Sequence, residues 1–371
     1  MGEKIKILNF ELANKFGGIE SFLLNVYTKM NKDSIHCDFI ASSNDRIHFY
    51  DKFIELGAEV YYMPNLRSIS AYVRRLNTIL DTGYDIVHFH KNSAANIIPI
   101  LIVKNHPSNP KIIIHSHNTA ASTGNFLTSM LHKVNKLYME KIADKKIACS
   151  SVASEWMFLK KDVEIVNNGI DTHKFKYNEE IRNRIRKTLE VNPEEILIGH
   201  IGRFTKQKNQ SFLIDIFKEI KDIKKDSKLI LVGDGPLLKE IMKKVRLLNL
   251  EDSVIFFGTT DKVSELLNAI DILIMPSLYE GLAVSAVEAQ SVGVITYISN
   301  NCSKETKLTD QTFFFDLNDS SKKIAKDVLN NFQKLLGEYA KDSASYEVKK
   351  KGYDLSNTVQ KLELVYKDIL K

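Results

Sequence analysis

The sequence predicts an α/β protein of two domains, each built around a parallel β-sheet, within 371 residues. A chain of this length exceeds one ordinary hydrophobic core, and two domains of about 150 to 200 residues are the usual arrangement. Short apolar runs alternate with amphipathic stretches of about 10 to 15 residues, which is typical of βαβ units and parallel sheets. The alternation pauses at the turn-rich segment Asn167–His173 and then starts again, so that segment marks the domain boundary.

The first half of the chain contains a series of predicted strands separated by helices. The strands are Lys4–Asn9, Cys37–Ala41, Glu59–Met63, Ile86–His90, Lys111–His115, Lys146–Ser150 and Glu164–Asn167. Amphipathic helices are predicted between them, for example Ile19–Met30, whose apolar side chains fall on one face, and Ala71–Leu80. The run Ile97–Val103 is the longest apolar candidate for a membrane span, and it is far shorter than the ~18 residues that a span needs.

The second half repeats this alternation after a charged helix at Glu179–Leu189. Its predicted strands are Ile196–Ile201, Lys228–Val232, Val254–Phe257, Asp271–Met275 and Val294–Ile298, and its predicted helices are Gln210–Lys221, Pro236–Leu248, Val263–Ala269 and Leu282–Ser291. This pattern predicts a second Rossmann-like domain. Two such domains bind ligands at the carboxyl ends of their strands, which are expected to face a shared cleft. The tail, Tyr353–Lys371, has the pattern of an amphipathic helix.

Composition indicates a globular protein, with 44% hydrophobic and 26% charged residues. The net charge of +6 is modest and does not indicate a nucleic-acid partner. Cys37, Cys149 and Cys302 lack metal-ligand spacing, which favours a reduced, cytoplasmic protein. The N-terminus lacks the pattern of a signal peptide, so any membrane contact is expected to be peripheral. The basic stretches Arg67–Leu80 and Leu131–Lys146 are either surfaces for an anionic leaflet or solvated helix faces.

Glu280 and Glu288 are the most informative pair of residues, because they flank a predicted loop-to-helix junction after the strand Asp271–Met275. The helix is predicted from about Leu282, which places Glu288 roughly 9 to 12 Å along the axis from Glu280. Between them, the helix N-terminus attracts anions through its free N–H groups and its dipole. Two carboxylates around an anion site suit a ligand with hydroxyls on both sides of a phosphate, such as a nucleotide-sugar.

Positive charge and glycine follow two other strands. Arg203 and Lys208 come directly after Ile196–Ile201, and a guanidinium beside an ammonium group suits a diphosphate. Gly17 and Gly18 follow the first strand, where they either let backbone N–H groups approach a phosphate or simply form a tight loop. The sequence contains no Asp-x-Asp, the usual carboxylate clamp for a metal-bridged diphosphate. The cations are therefore expected to neutralise the phosphates without a metal.

Two histidine pairs are predicted at the ends of neighbouring strands: His115 with His117, and His88 with His90. Residues two apart on a strand share a face. A histidine there can bind a sugar hydroxyl or act as a general base, and His117 is the expected one. A buried, hydrogen-bonded pair is an alternative, and so is a two-histidine metal site, for which the sequence shows no third ligand.

Six motifs occur in a characteristic order along nearly the whole chain. They are Gly17-Gly18-Ile19-Glu20, His115-Ser116-His117-Asn118, Asn168-Gly169-Ile170-Asp171, Gly202-Arg203 with Lys208-Asn209, Val232-Gly233-Asp234-Gly235-Pro236, and Glu280-Gly281-Leu282 with Glu288-Ala289. In their order and spacing the chain resembles the family 4 retaining glycosyltransferases of the GT-B fold. It is most similar to the bacterial branch that builds exopolysaccharide and capsule repeat units.

The resemblance implies an acceptor domain over residues 1–172, completed by the C-terminal helix 353–371, and a nucleotide-sugar donor domain over residues 173–352. It implies transfer of a hexose or N-acetylhexosamine from a nucleotide-sugar, with a UDP-sugar expected, to a saccharide or lipid-linked saccharide. The anomeric configuration would be retained, with no metal or other cofactor. The expected route is front-face attack, in which an oxygen of the leaving diphosphate helps to deprotonate the acceptor.

The resemblance also implies roles for individual residues. The donor-binding residues would be Gly17, Gly18, Arg203, Lys208, Gly281, Leu282, Ala283 and Glu288. Of these, Arg203 and Lys208 would hold the diphosphate and Glu288 the ribose. The catalytic residues would be Glu280 and His117, both at the donor sugar, with His115 the less expected choice. The acceptor-binding residues are not implied.

The chain departs from the family pattern at two positions. The family usually has proline where this chain has Ala283, and often Gly-x-Pro where it has Gly293-Val294-Ile295. Both changes keep the backbone donors, so they are expected to alter loop stiffness and donor-sugar preference.

Two other functions remain as alternatives: a UDP-sugar epimerase of the same fold, which needs no acceptor, and a non-catalytic partner of another glycosyltransferase. The ordered transferase motifs argue against the first, and the complete set of charged positions argues against the second.

Overall fold

The computed structural model describes residues 4–12, 18–41, 46–47, 49–118, 126–160, 162–335 and 341–371. Its strands are β1 (Ile5–Leu12), β2 (Ile35–Ala41), β3 (Val60–Tyr62), β4 (Ile86–Lys91), β5 (Lys111–Ser116), β6 (Lys145–Ala148), β7 (Glu164–Ile165), β8 (Ile196–Ile201), β9 (Ser227–Val232), β10 (Val254–Gly258), β11 (Ile272–Met275), β12 (Ile295–Ser299) and β13 (Thr312–Phe315). Its helices are α1 (Gly18–Lys29), α2 (Tyr50–Glu55), α3 (Ile69–Leu80), α4 (Ile98–Lys104), α5 (Phe126–Ile142), α6 (Ser151–Met157), α7 (Glu179–Thr188), α8 (Gln210–Ile223), α9 (Leu238–Leu247), α10 (Val263–Ala269), α11 (Val284–Val292), α12 (Ser321–Leu335), α13 (Lys341–Val348) and α14 (Leu355–Asp368). These elements form two compact units: unit 1, Met1–Gly169 with Leu355–Lys371, and unit 2, Ile170–Asp354.

The sheet of unit 1 has seven parallel strands in the order β3-β2-β1-β4-β5-β6-β7. The side chains of β1 alternate between two apolar clusters, with Ile7 on one face and Leu8 and Phe10 on the other. Burial on both faces explains why the strands read as nearly continuous apolar runs. The C-terminal helix α14 packs on the first face, where Leu362 and Tyr366 join the cluster of Ile7.

The sheet of unit 2 has six parallel strands in the order β10-β9-β8-β11-β12-β13. Here too the side chains alternate, since Leu197 and Ile198 of β8 belong to different apolar clusters. In both sheets the strand order reverses beside the first strand, between β1 and β4 in unit 1 and between β8 and β11 in unit 2. Open α/β sheets bind ligands outside the carboxyl ends of strands at such a point.

Several predicted helices differ from the structure in their bounds, for example the one predicted from Pro236, which begins at Leu238. The helix predicted from Leu282 begins at Val284. The basic stretch Leu131–Lys146 is not one helix, because α5 ends at Ile142 and Lys146 lies on β6. Lys146 is 6% exposed and pairs with Glu140 at 2.9 Å, so it is not available on a surface. Among the described helices, none combines the length and the apolar character that a membrane crossing requires.

Candidate active site

Two loops of unit 2 leave adjacent strands where the strand order reverses, one after β8 and the other after β11. Hydrogen bonds join them directly. The Leu278 N–H donates to the Gln207 carbonyl at 2.8 Å, and Gln207 Nε2 donates to the Tyr279 carbonyl at 3.0 Å. Residues far apart in the chain are therefore held in one local arrangement.

A third loop, after β9, packs against the loop after β8. Gly233 has a φ of +136°, and a Cβ there would lie 2.3 Å from the Gly202 carbonyl oxygen. The Gly202 N–H donates to the Val232 carbonyl at 2.9 Å, and the Phe204 N–H donates to the Asp234 carbonyl at the same distance. Glycine is required at this position because both the backbone angle and the close approach exclude a side chain. Loop packing therefore explains the glycine-rich motif after β9.

Lys208 and Glu280 form an ion pair across the two loops. Glu280 is 9% exposed and also accepts a hydrogen bond from the Ser277 hydroxyl at 3.1 Å. Ser277 is completely buried, and its carbonyl accepts a hydrogen bond from Ser299 at 2.5 Å. The carboxylate is thus fixed from two sides, with Lys208 as its cationic partner. The sequence predicted both charged residues for the site but did not predict this pairing.

Arg203 is exposed, and no described residue pairs with its guanidinium. Its backbone is fixed, since Gln210 Nε2 donates to the Arg203 carbonyl at 3.0 Å. Gln210 also contacts His200 Nε2 at 3.3 Å, while His200 Nδ1 donates to the Ile274 carbonyl at 2.9 Å. Burial lowers the pKa of His200 to about 4, so the neutral ring can accept one bond and donate the other. An unpaired guanidinium on a fixed backbone suits an anionic ligand.

Gly281, Leu282 and Ala283 are buried residues between Glu280 and helix α11. Their backbone N–H groups have no acceptor among the described residues. Gly281 lies before the helix as predicted, whereas Leu282 and Ala283 lie before it contrary to the prediction. All three add their donors to those of the helix N-terminus. Such a segment can bind an anionic or hydroxyl-bearing group.

Glu288 lies in α11, half-buried, and forms no hydrogen bond with a described residue. Burial raises the pKa of its carboxyl to about 8, and the charge of Lys174 opposes this by a smaller amount. The carboxyl therefore has unused hydrogen-bonding capacity that ligand hydroxyls can satisfy.

The raised pKa of Glu288 predicts that this residue makes the protein less stable as the pH rises. The folded state holds the proton up to about pH 8, whereas the unfolded chain releases it near the usual value of 4.5. Stability is therefore lost between those two pH values and stays constant above them. Glu288→Gln is expected to gain stability over the wild type between pH 5 and pH 9, measured by urea unfolding. Glu240→Gln, which changes an exposed residue of α9, is the control. An equal gain in stability in that variant would show that the effect comes from the net charge of the protein and not from Glu288.

The two predicted glycines of unit 1 fall at the start of α1. Gly17 lies outside the described residues. Gly18 is the first residue of the helix, is exposed, and a Cβ there would meet no atom within 4 Å. The surrounding protein therefore imposes no steric need for glycine at this position, and phosphate contact stays a prediction.

Four histidines meet at the ends of β4 and β5. The ring centroids of His88 and His90 are 4.0 Å apart, as are those of His115 and His117. The ring of Phe22 lies edge-on to His117 at 5.2 Å. Burial lowers the pKa of all four well below its usual range, so the rings are neutral. His115 is completely buried, whereas His117 keeps partial exposure. The choice of His117 as the residue at the donor sugar stays a prediction.

The structure supplies the third ligand that the sequence did not show for a metal site. One nitrogen from each of His88, His90 and His115 lies within 4.8 Å of the others. Both nitrogens of His90, however, already have partners: Asn9 Oδ1 at 3.2 Å and His117 Nε2 at 2.9 Å. A metal ion bound to His90 would break one of these bonds. Hydrogen bonds therefore engage His90, but both nitrogens of His115 and Nε2 of His88 have no partner among the described residues. A metal-free reaction stays a prediction.

Sequence reasoning missed three side chains that support these regions: Asn9, Ser277 and Tyr366. The Tyr366 hydroxyl lies 2.8 Å from His88 Nδ1, although 278 residues separate them in the chain. No local pattern could reveal that contact. Ser277 could have been found, because it stands three residues before Glu280 in the motif itself.

Comparison with known proteins identifies the family of the chain. The family model described as Glycosyltransferase Family 4 matches residues 16–174, and the one described as Glycosyl transferases group 1 matches residues 181–341. EpsF of Bacillus subtilis (strain 168) is 31% identical over 78% of this chain and 77% of its own. The UDP-Gal:alpha-D-GlcNAc-diphosphoundecaprenol alpha-1,3-galactosyltransferase of Escherichia coli is 22% identical over 99% of this chain and 98% of its own.

A solved structure shares the fold over almost the whole chain. Anabaena Alr3699/HepE, crystallised in complex with UDP, matches with a TM-score of 0.81 and 18% identity, covering 98% of this chain and 100% of that one. The predicted fold of two Rossmann-like domains is confirmed. The chain belongs to glycosyltransferase family 4 and has the GT-B fold.

Proposed function

We propose that this protein transfers a hexose or N-acetylhexosamine from a UDP-sugar to a saccharide or lipid-linked saccharide in cell-surface polysaccharide synthesis. The observation that carries the proposal is the set of anion-binding groups where the strand order of unit 2 reverses. Lys208 is held against Glu280. Among the described residues, Arg203 has no pairing partner and the N–H groups of residues 281–283 have no acceptor. The Escherichia coli relative is named for a UDP-Gal donor and a diphosphoundecaprenol acceptor, and the Anabaena structure contains UDP.

The diphosphate of the donor is the group that Arg203 and Lys208 bind. At ~4 Å and an effective dielectric near 20, each charge contact contributes about 4 kcal/mol before desolvation. That exceeds the ~0.3–1 kcal/mol that a helix dipole contributes. The two side chains therefore contribute more to diphosphate binding than the N-terminus of α11 does. No metal is needed, because the cations themselves neutralise the leaving group. Glu288 accepts hydrogen bonds from the ribose hydroxyls, because no described residue is hydrogen-bonded to its carboxyl oxygens.

Catalysis in this proposal depends on Glu280 and His117 at the donor sugar. The fixed Glu280 carboxylate stabilises positive charge that develops on the sugar as its bond to the diphosphate breaks. The acceptor oxygen forms its bond to the anomeric carbon on the face that the diphosphate leaves, so the configuration is retained. A diphosphate oxygen takes the proton of the acceptor hydroxyl. His117 contacts the sugar, as the family resemblance implies.

Ligand-observed NMR with a panel of nucleotide-sugars, with and without EDTA, tests the proposal. We expect one UDP-sugar to bind equally in both conditions and to be hydrolysed slowly to the retained anomer. Epimerised product without an acceptor would establish the epimerase alternative instead. Absence of binding across the panel would favour a non-catalytic partner. A product of inverted anomeric configuration would overturn the retaining mechanism. Binding only in the absence of EDTA would overturn the metal independence.

We also propose that the enzyme works at the cytoplasmic face of the membrane as a peripheral protein. Helix α5 carries a stripe of exposed apolar side chains at helical spacing, which is unusual for a solvated helix. They are Phe126, Leu127, Met130, Leu131, Val134, Leu137 and Tyr138, with Phe126 84% exposed. Exposed Lys133 and Lys141 on the same helix suit anionic headgroups. The basic stretch predicted from the sequence thus overlaps α5, although its last residues do not belong to the helix.

Vesicle sedimentation checks the membrane contact. The protein is expected to bind vesicles that contain phosphatidylglycerol and to bind pure phosphatidylcholine much more weakly. Leu137→Glu should weaken binding by about tenfold or more, because a carboxylate cannot enter the acyl boundary. Leu247→Glu, at a position 72% exposed on α9 of unit 2, is the matched control and should bind as the wild type does. Equal losses in both variants would contradict a role for α5.

A further inference from the structure

Three side chains of unit 1 form a hydrogen-bonded chain across the ends of β1, β4 and β5. Asn9 Oδ1 lies 3.2 Å from His90 Nε2, and His90 Nδ1 lies 2.9 Å from His117 Nε2. The backbone also fixes His117, whose N–H donates to the Lys91 carbonyl at 3.0 Å. The sequence predicted His117 for the site but gave no reason to connect it with Asn9.

The amide of Asn9 can adopt only one orientation. Its Nδ2 lies 3.4 Å from the Asp38 backbone carbonyl, which can only accept. Turning the amide over would place two carbonyl oxygens against each other there. Asn9 Oδ1 is therefore the atom that faces His90.

The orientation of Asn9 determines the tautomers of both histidines. Because Asn9 Oδ1 only accepts, His90 must carry its proton on Nε2. Neutral His90 then has a bare Nδ1, which can only accept, so His117 must donate from Nε2. Neutral His117 consequently has its lone pair on Nδ1. Burial lowers the pKa of His117 to about 3 and that of His90 well below its usual value, which agrees with two neutral rings.

His117 Nδ1 is the unused end of this chain. It is buried and has no hydrogen-bond partner among the described residues. Buried polar atoms without partners are rare and require an explanation, such as a ligand that completes the bond. A bare imidazole nitrogen accepts from a hydroxyl or an amide N–H. It repels a carboxylate oxygen, which also brings only lone pairs.

We propose that Asn9 and His90 are positioning residues that hold His117 as a hydrogen-bond acceptor at Nδ1. The donor sugar must then present a hydroxyl or amide N–H to His117, which selects neutral sugars and disfavours a carboxylate at that position. This inference rests on the proposed function for the identity of the ligand. The tautomeric states of the two histidines are properties of the ligand-free protein and can be measured without any substrate.

Long-range ¹H–¹⁵N correlation NMR on protein labelled at histidine nitrogen tests the tautomers directly. Signals of His117 and His90 are assigned by their loss in His117→Gln and His90→Gln. We expect protonated Nε2 and bare Nδ1 in both rings of the wild type. A proton on Nδ1 of His117, or a mixture of tautomers, would overturn the proposal even if glycosyl transfer is observed.

Variants at Asn9 test its control over His117. Asn9→Leu removes the acceptor and should give His117 a mixture of tautomers. An unchanged His117 in Asn9→Leu would overturn the role of Asn9. If Asn9→Leu fails to fold, the wild-type tautomer still decides whether His117 is an acceptor.

The consequence for the sugar is measured with monodeoxyfluoro analogues of UDP-glucose, UDP-galactose and UDP-N-acetylglucosamine. Fluorine cannot donate a hydrogen bond. At one sugar position, replacing hydroxyl by fluorine should lower kcat/KM about tenfold more in the wild type than in His117→Ala, the value of one hydrogen bond. Equal losses at every position would refute the contact with His117, while the tautomer result and the proposed function would stand separately.

Discussion

Replacing Lys208 by alanine is expected to lower kcat/KM for glycosyl transfer by about 10²- to 10³-fold, the usual loss when a preorganised charge at the reacting groups is removed. Lys208 lies in the loop after β8, in an ion pair with Glu280, and its side chain is 18% exposed. The lysine can therefore meet the leaving diphosphate without a large rearrangement. Initial rates over a range of donor concentrations give the loss in kcat and in KM separately.

The neighbouring Lys206 provides a matched control for this prediction. Lys206 and Lys208 belong to the same helical turn, but Lys206 is exposed and has no partner among the described residues. Lys206→Ala should therefore retain nearly full activity. An equal loss in both variants would show that only the general positive charge of the loop matters.

Lys208→Ala also leaves the Glu280 carboxylate without its cation in a position only 9% exposed. Part of any loss could therefore come from a distorted loop. The double variant with Glu280→Gln removes that unpaired charge and should recover stability without recovering activity. Recovery of activity in the double variant would contradict a direct role for either residue.

The placement of the candidate site residues in the fold was predictable from sequence because strands, loops and charges follow local rules. Apolar runs marked the strands β8 and β11, and the polar residues directly after them, Arg203, Lys208 and Glu280, fall on the loops at the reversal of strand order. The exact start of α11 was not predictable. Leu282 and Ala283 have good helix propensity, but both are buried in the core of unit 2, and that packing overrides their local preference.

Contacts between distant residues were the part that sequence could not provide. The chain from Asn9 to His117 passes through His90, 81 residues from Asn9, and depends on strand register. The ion pair of Lys208 depends on two loops that meet only in the folded sheet. Periodicity assigns a residue to a strand end, but it does not say which side chain from another strand will be its partner.

Replacing Asp271 by alanine is expected to destabilise unit 2 by about 3 to 5 kcal/mol, the usual cost of removing one partner from a buried ion pair. Asp271 Oδ1 lies 2.6 Å from Arg182, and Oδ2 lies 3.0 Å from Arg186, which is only 4% exposed. The Leu197 N–H also donates to Oδ2 at 2.8 Å. The change would leave a buried guanidinium without its carboxylate and a strand N–H without its acceptor.

Hydrogen exchange separates this effect from any effect on catalysis. In Asp271→Ala, amides of β8 and β9 should exchange about 10²- to 10³-fold faster or more, while β1 and β4 of unit 1 stay unchanged. Asp271 precedes β11, at the opposite end from Glu280, so activity per folded molecule should persist at low temperature. Asp222→Ala, which breaks the exposed pair with Lys218, is the control and should leave exchange unaltered. Lost activity with normal exchange would mean that Asp271 acts on the site itself, and the assignment of function to the carboxyl ends of the strands would then be wrong.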